Sequence, residues 1–287
     1  MKKKQKLLTK KNLPFSWNWK QKVKKIPPVI NISVSHGNSY IKTAVYINNL
    51  QKAFFKLESK KLPSVKLYLS ALIKVFDYSK ILNPESVVMA VSATKKNTES
   101  FYRKVCDKTG FKLLIVSAAL KSGIQINYHP PESLGTDRIC AAAAAYEKYR
   151  RESETLAVID FGTATTFNLI SKGVFEGGLI LPGFGLYKNA LGDSCDYLFR
   201  VRYNRIAGFL CRDTESSLIA GIYGGYPVLI SGLYRNLLRD ARIDEKKACL
   251  IITGGYANFF TTMLECPVIC DQSLVSDGIN IIADLNR

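Results

Sequence analysis

Residues 156 to 171, LAVIDFGTATTFNLIS, bring one carboxylate and several hydroxyls to a single turn. Leu156 to Ile159 is an apolar run that reads as a strand, Asp160 stands at its end, Gly162 makes the turn, and Phe167 to Ile170 carries the chain away. A glycine lets backbone N–H groups approach an anion, Thr163, Thr165 and Thr166 can donate hydrogen bonds, and Asp160 can hold a cation that offsets phosphate charge. The chemistry on offer is phosphate handling, although an ordinary β-hairpin with a solvated acid would use the same residues. A second stretch, VINISVSHGNSYIKTAVY from Val29 to Tyr46, repeats the layout. Gly37 and Gly162 lie 125 residues apart, as do Ser35 and Asp160. A duplicated strand-turn-strand unit facing itself would grip a polyphosphate from both sides, with a nucleotide in the cleft between halves.

The elements that must position these turns follow from local pattern. Val29 to Val34 predicts a strand, His36 to Ser39 its turn, Ile41 to Ile47 the return, Asn48 and Asn49 a second turn, and Lys52 to Leu57 a third strand. Val65, Leu69, Leu72, Ile73 and Phe76 recur at helical spacing after Pro63 and Ser64. Ser86 to Val91 reads as a strand, Asn97 as the cap of a helix that runs to about Lys108 and stops at Gly110, and Phe111 to Val116 as another strand. Residues 123 to 132 form a turn-rich connection, and Ser133 to Arg151 an alanine-rich helix. The second half restarts the order: strands to Ile159, from Thr166 to Ile170 and from Val174 to Leu181, then a long helix capped by Asp213 and kinked at Pro227. Ala248 to Ile252 is a strand leading into Thr253, Gly254 and Gly255, and Ser276 to about Leu285 a closing helix. The pattern is α/β with mixed sheets.

Composition sets the bounds. The chain has 287 residues, enough for a large core, and no apolar run reaches the roughly 18 residues of a membrane helix. The N-terminus lacks the apolar stretch of a secretory signal, so a cytoplasmic location is expected. The seven cysteines include no CxxC pair, and most sit in apolar segments and read as buried free thiols; Cys266 and Cys270 lack the partners that would complete a metal site. The net charge of +18 is uneven, because ten lysines lie between Lys2 and Lys25 with no acid among them. Such a run reads as a solvated basic extension rather than a specific nucleic-acid reader, with Phe15, Trp17 and Trp19 as a docking segment or as packing on the body. Pro27 and Pro28 close it. The expected organisation is an extension over 1–28, a first half over 29–122, a connection with a substrate-site helix over 123–155, and a second half over 156–287.

The assembled motifs resemble those of type III pantothenate kinases, within the superfamily of acetate and sugar kinases, actin and heat-shock ATPases. LGTDR at Leu134 to Arg138, DFGTATT at Asp160 to Thr166, the GG and LPG pairs from Gly177 to Gly183, TESSLIAGIYGG from Thr214 to Gly225, and ITGG at Ile252 to Gly255 carry the likeness. The resemblance implies two duplicated RNase H-like halves with a cleft between them, and a homodimer. It implies transfer of a phosphoryl group from ATP to the primary hydroxyl of pantothenate, the first step towards coenzyme A, with Mg2+ and a monovalent cation, K+ or NH4+. By the same likeness Asp137 is the proton acceptor. Tyr128, Gly135, Thr136, Arg138 and Thr214 hold pantothenate, Arg138 through its fork of donors to the carboxylate. Asp160 binds the monovalent cation. Ser35, His36, Gly37, Asn38, Ser39, Tyr40, Ile41, Lys42 and Thr163 hold ATP, and Gly254 and Gly255 border the nucleotide. Structural readings compete: a helix-start carboxylate at Asp137, a surface ion pair at Arg138, a buried tyrosine at Tyr128, a cap at Thr214.

One position departs from the family pattern. Where members carry an aspartate two residues before the Gly–Asn pair of the first phosphate loop, this chain has Ser35, whose neutral hydroxyl is a poor ligand for a hard cation. The alternative this raises is a weakened or inactive member of the family, a pseudokinase or regulator that keeps the fold. His36 beside it reads as a neutral, packed imidazole or a phosphate contact when protonated.

Overall fold

A computed structural model describes residues 27–77, 81, 83–95 and 97–287; the basic extension and its aromatic residues lie outside the described residues, apart from the two prolines that close it. The first half is a sheet of five strands, β1 (Ile30–His36), β2 (Tyr40–Ile47), β3 (Leu50–Glu58), β4 (Val88–Ala93) and β5 (Lys112–Ile115), in the order β3-β2-β1-β4-β5. β1, β2 and β3 form an antiparallel meander, and β4 and β5 add in parallel through the helices α1 (Val65–Val75) and α2 (Glu99–Thr109).

The second half repeats this. Its strands are β6 (Gln125–Ile126), β7 (Thr155–Phe161), β8 (Ala164–Ser171), β9 (Val174–Pro182), β10 (Ala248–Thr253) and β11 (Val268–Cys270). They order as β11-β10-β7-β8-β9-β6, the same arrangement with β6 added in parallel at the β9 edge. β1 and β7 share the length and the same succession of buried and half-buried residues, and so do β2 and β8. The duplication read from the turns therefore extends through both hairpins, and the fold is a pair of RNase H-like halves.

Between the halves lies α3 (Thr136–Tyr149), with α8 (Leu274–Leu285) against it. Ala141 to Ala145 are all buried, in one core with Val88 and Ala90 of the first sheet, Leu156 and Val158 of the second, and Ile279 and Ile282 of α8. Small side chains let the helix sit close to both sheets, and each branched residue sealed in such a core stabilises the fold by about 1.5–3 kcal/mol. Polar bonds fasten α8 and the residues after it to the first half: Tyr46 donates to Asp277 at 2.5 Å, Asn31 to Asn280 at 2.8 Å, and Arg287 to the Ile30 carbonyl at 2.8 Å.

Several local expectations shift. Asn97 does not cap α2; it takes a left-handed φ of 60°, and Thr98 stands at the cap without a side-chain bond. Residues 131–133 form a 3-10 turn ahead of α3 rather than its first turn. β6 falls inside the expected connection. The long helix runs from α5 (Thr214–Ile219) through a π turn, Ala220–Gly224, into α6 (Gly225–Asp240). Pro227 lacks an N–H and its ring crowds the carbonyl four residues back, so the wide turn before it absorbs the misfit. This helix is long and apolar enough to cross a bilayer, yet Tyr226, Ile230, Tyr234 and Leu238 bury one face in the second-half core. α4 (Phe184–Ser194) and α7 (Ala257–Phe260), with the edge strand β11, complete the half.

Candidate active site

The two turns meet. Ser39, at the tip of the first hairpin, and Thr163, at the tip of the second, share a hydrogen bond of 2.9 Å between their hydroxyls. Each turn is closed by its glycine, Gly37 N–H donating to the Tyr40 carbonyl at 3.0 Å and Gly162 N–H to the Ala164 carbonyl at 3.1 Å, the second turn being one residue shorter. Asn38 and Ser39 are exposed there, whereas the Ile41 side chain is fully buried. Tyr40 is exposed with the Lys56 ammonium 4.3 Å from its ring centre.

Asp160 is half-buried at the end of β7, opposite Thr166 on β8 and Thr253 on β10. Burial pushes its carboxyl up to about 6; the charge of Asp137 adds to the rise and that of Lys42 opposes it. So a lysine from the first half, the acid of the second hairpin and the acid at the start of α3 share one electrostatic field. Gly254 is required beside them: its φ is 96°, and a Cβ there would overlap the Asp160 carboxylate. Its partner in the first half is different. Ser35 occupies the place equivalent to Asp160 and pairs in register with Lys42 on β2 and Ser92 on β4.

Asp137 lies in the first turn of α3 and accepts the Arg138 N–H at 2.9 Å. Burial raises its pKa above the ordinary carboxylate value, more than this bond and the neighbouring guanidinium lower it. The preceding Thr136 bonds Ser92 at 2.8 Å, which ties the helix start to β4. Arg138 points the other way, into the protein, and is 4% exposed. Its Nε donates to Asn168 Oδ1 at 2.6 Å and its Nη2 to the Phe167 carbonyl at 3.2 Å, while the rings of Tyr128 and Phe175 lie 5.6 and 5.3 Å from the guanidinium carbon. Among the described residues no carboxylate lies within ion-pair distance of it, so the surface ion pair is replaced by a buried cage. Gly178 explains part of the GG motif: at φ 155° it lets β9 pass where a Cβ would overlap the Phe167 carbonyl and stand 3.2 Å from Arg138 Nη2.

Other predicted residues sit apart. The His36 ring is sealed in the first half, with Nδ1 2.9 Å from the Tyr102 hydroxyl and Nε2 2.9 Å from Ser59, and burial drops its pKa to about 4. It is therefore neutral, and its side chain has no donor left for phosphate. The Thr165 hydroxyl is also turned inward, to Tyr226 at 2.8 Å. Thr214 is not the cap of α5; Asp213 takes that role by accepting the Ser216 N–H at 2.8 Å. Thr214 is exposed, lines a surface cavity of about 480 Å³ with Leu198, Arg212 and Leu218, and shares no hydrogen bond with Asp137 or Arg138. Asn168 and Ser92 were not singled out from sequence. The signal for Asn168 was a polar residue inside an otherwise apolar strand, FNLI.

The sequence profile of the type III pantothenate kinase family matches residues 31–236, from the first hairpin to α6. The chain belongs to that family. A type III pantothenate kinase of Desulfatibacillum aliphaticivorans is 37% identical over 206 residues, 71% of this chain and 77% of that one. One from Anaeromyxobacter sp. (strain K) is 29% identical over 259 residues, 89% and 99% of the two chains. A Campylobacter jejuni crystal structure described as a conserved Baf family transcriptional activator covers 90% of this chain and 98% of its own with a TM-score of 0.57; at 21% identity it speaks for the shared fold alone.

Proposed function

We propose that this type III pantothenate kinase transfers the terminal phosphoryl group of ATP to the primary hydroxyl of pantothenate, giving 4'-phosphopantothenate. The observation that carries the reading is the convergence of Asp137, Asp160 and Lys42 where the tips of the two duplicated hairpins touch. Phosphoryl transfer is mostly positioning and charge compensation, and this cleft supplies both. Asn38, Ser39 and Thr163 present hydroxyl and backbone donors to the phosphates, with the Lys42 ammonium beside them. Asp137 takes the proton of the attacking hydroxyl; its raised pKa makes it the stronger base once ionised. Arg138, oriented within its cage, holds the carboxylate of pantothenate, with Tyr128 against the guanidinium.

The site fits a cation. A carboxylate raised by burial and by the charge of Asp137, as Asp160 is, is relieved by a positive charge beside it. Asp160 would hold K+ or NH4+, and ATP brings Mg2+; when bound, these cations offset phosphate charge. The first hairpin does not offer the equivalent ligand, because Ser35 is neutral. Thr214 is assigned to the acceptor by the family likeness alone, since its cavity is lined by none of Tyr128, Asp137 and Arg138. We further place the enzyme in the cytoplasm as a homodimer, organised as an extension over 1–28, halves over 29–122 and 156–287, and the connection over 123–155. The test is ATP-dependent formation of phosphopantothenate by the purified full chain, read by mass; a folded protein that binds ATP and forms none overturns the reading.

A further inference from the structure

Asn168 stands in the middle of β8, between Phe167 and Leu169, 1% exposed, in register with Val158 on β7 and Gly178 on β9. A buried amide in the centre of a sheet is costly unless its groups are matched. Here the match is one-sided. Oδ1 accepts from Arg138 Nε at 2.6 Å, while Nδ2 is buried without a partner. Among the described residues the Arg138 guanidinium donates only to this oxygen and to the Phe167 carbonyl, and two aromatic rings lie beside it.

We infer that Asn168 is a positioning residue for acceptor recognition: its Oδ1 fixes the orientation of the Arg138 fork, and its neutral amide leaves the guanidinium charge unspent for an anionic acceptor. The inference rests on the proposed role of Arg138 towards the pantothenate carboxylate. A guanidinium has five donors in a fixed plane. One edge is used by Asn168 and Phe167, which sets the plane, and the remaining donors keep their charge because neither partner is an anion. The unmatched Nδ2 belongs to the same cage. Leucine at this position would keep the branched outline of the side chain but release the Nε edge. Aspartate would keep an oxygen at the same place.

The experiment compares wild type, Asn168→Leu and Asn168→Asp with two acceptors, pantothenate and its neutral analogue in which hydroxymethyl replaces the carboxylate. Asn168→Leu is expected to raise the KM for pantothenate by about tenfold or more, the scale of one lost charge-assisted contact, with kcat within about threefold and the KM of the neutral analogue little changed. Asn168→Asp is expected to keep the oxygen that orients Nε but to spend the guanidinium charge in an ion pair, so the KM for pantothenate stays raised while that of the neutral analogue is little changed. Equal losses for both acceptors, or no loss for either, would overturn the inference and mark Asn168 as structural only. Should the leucine variant not fold, Asn168→Ala, which removes the accepting oxygen, is read in its place: an unchanged preference for the anionic acceptor counts against the inference, a reduced one supports it. Wild type that phosphorylates neither acceptor defeats the kinase reading and the inference with it, whereas wild type and Asn168→Leu of equal preference defeat the inference alone.

Discussion

Replacing Asp160 with asparagine should make the cation-free protein more stable while disabling it. The carboxyl is raised from 3.8 to about 6 by burial and by the charge of Asp137. A rise of this size means that the ionised form costs the fold about 3 kcal/mol. The folded state holds the proton more tightly than the unfolded state, so the stability linked to it is present below the unfolded pKa and lost as pH rises through about 6. Urea unfolding of wild type and Asp160→Asn, without K+, should therefore differ by about 3 kcal/mol in favour of the variant at pH 7.5, and the gap should close towards pH 4. His36 works in the opposite sense. Its pKa is lowered to about 4, so its contribution is present above 6.5 and lost as pH falls towards 4, but it is common to both proteins and cancels in the difference. Adding K+ should stabilise wild type and leave the variant unmoved. A variant less stable than wild type at pH 7.5, or a gap independent of pH, would refute the reasoning.

Three further outcomes follow. Asp137→Asn should lower kcat by roughly two to four orders of magnitude with ATP affinity, measured by calorimetry, unchanged; retained turnover would remove it as the base. Ser35→Asp puts an acid in register with Lys42 and opposite Asp160 in the duplicated site, so titration should show turnover responding at lower Mg2+ than in wild type; a rise from almost no turnover would instead mark the native chain as a weakened enzyme. Gly178→Ala forces a Cβ onto the Phe167 carbonyl at a φ that favours glycine, and should cost several degrees of Tm and raise the KM for pantothenate through Arg138. An unchanged Tm would show that β9 can move aside.

The hairpins were legible because their signals are local: apolar runs, a glycine turn and an acid within a dozen residues. Even the duplication could be read, since the offset between Gly37 and Gly162 holds from the end of β1 to the end of β7. What the sequence hid depends on partners far along the chain. α4 and α7 carry weak patterns and owe their place to packing against the second sheet around Phe184 and Phe260. β6 is two residues long and exists because β9 offers an edge. Asn97 matched the composition of a cap, but its left-handed φ turns it into the link before one. Thr165 and His36 had the right chemistry for phosphate, and only the buried Tyr226, Tyr102 and Ser59 show that their polar atoms are already committed.

The central claim is that one acid at the second hairpin, facing Asp137 across the cleft, suffices for phosphoryl transfer to pantothenate although Ser35 is neutral. The direct measurement is the rate of phosphopantothenate formation by the full chain with ATP and Mg2+, with and without K+. The account predicts steady turnover that rises with K+ and disappears in Asp137→Asn. A correctly folded wild-type chain that binds ATP but forms no phosphopantothenate at any K+ concentration would contradict it.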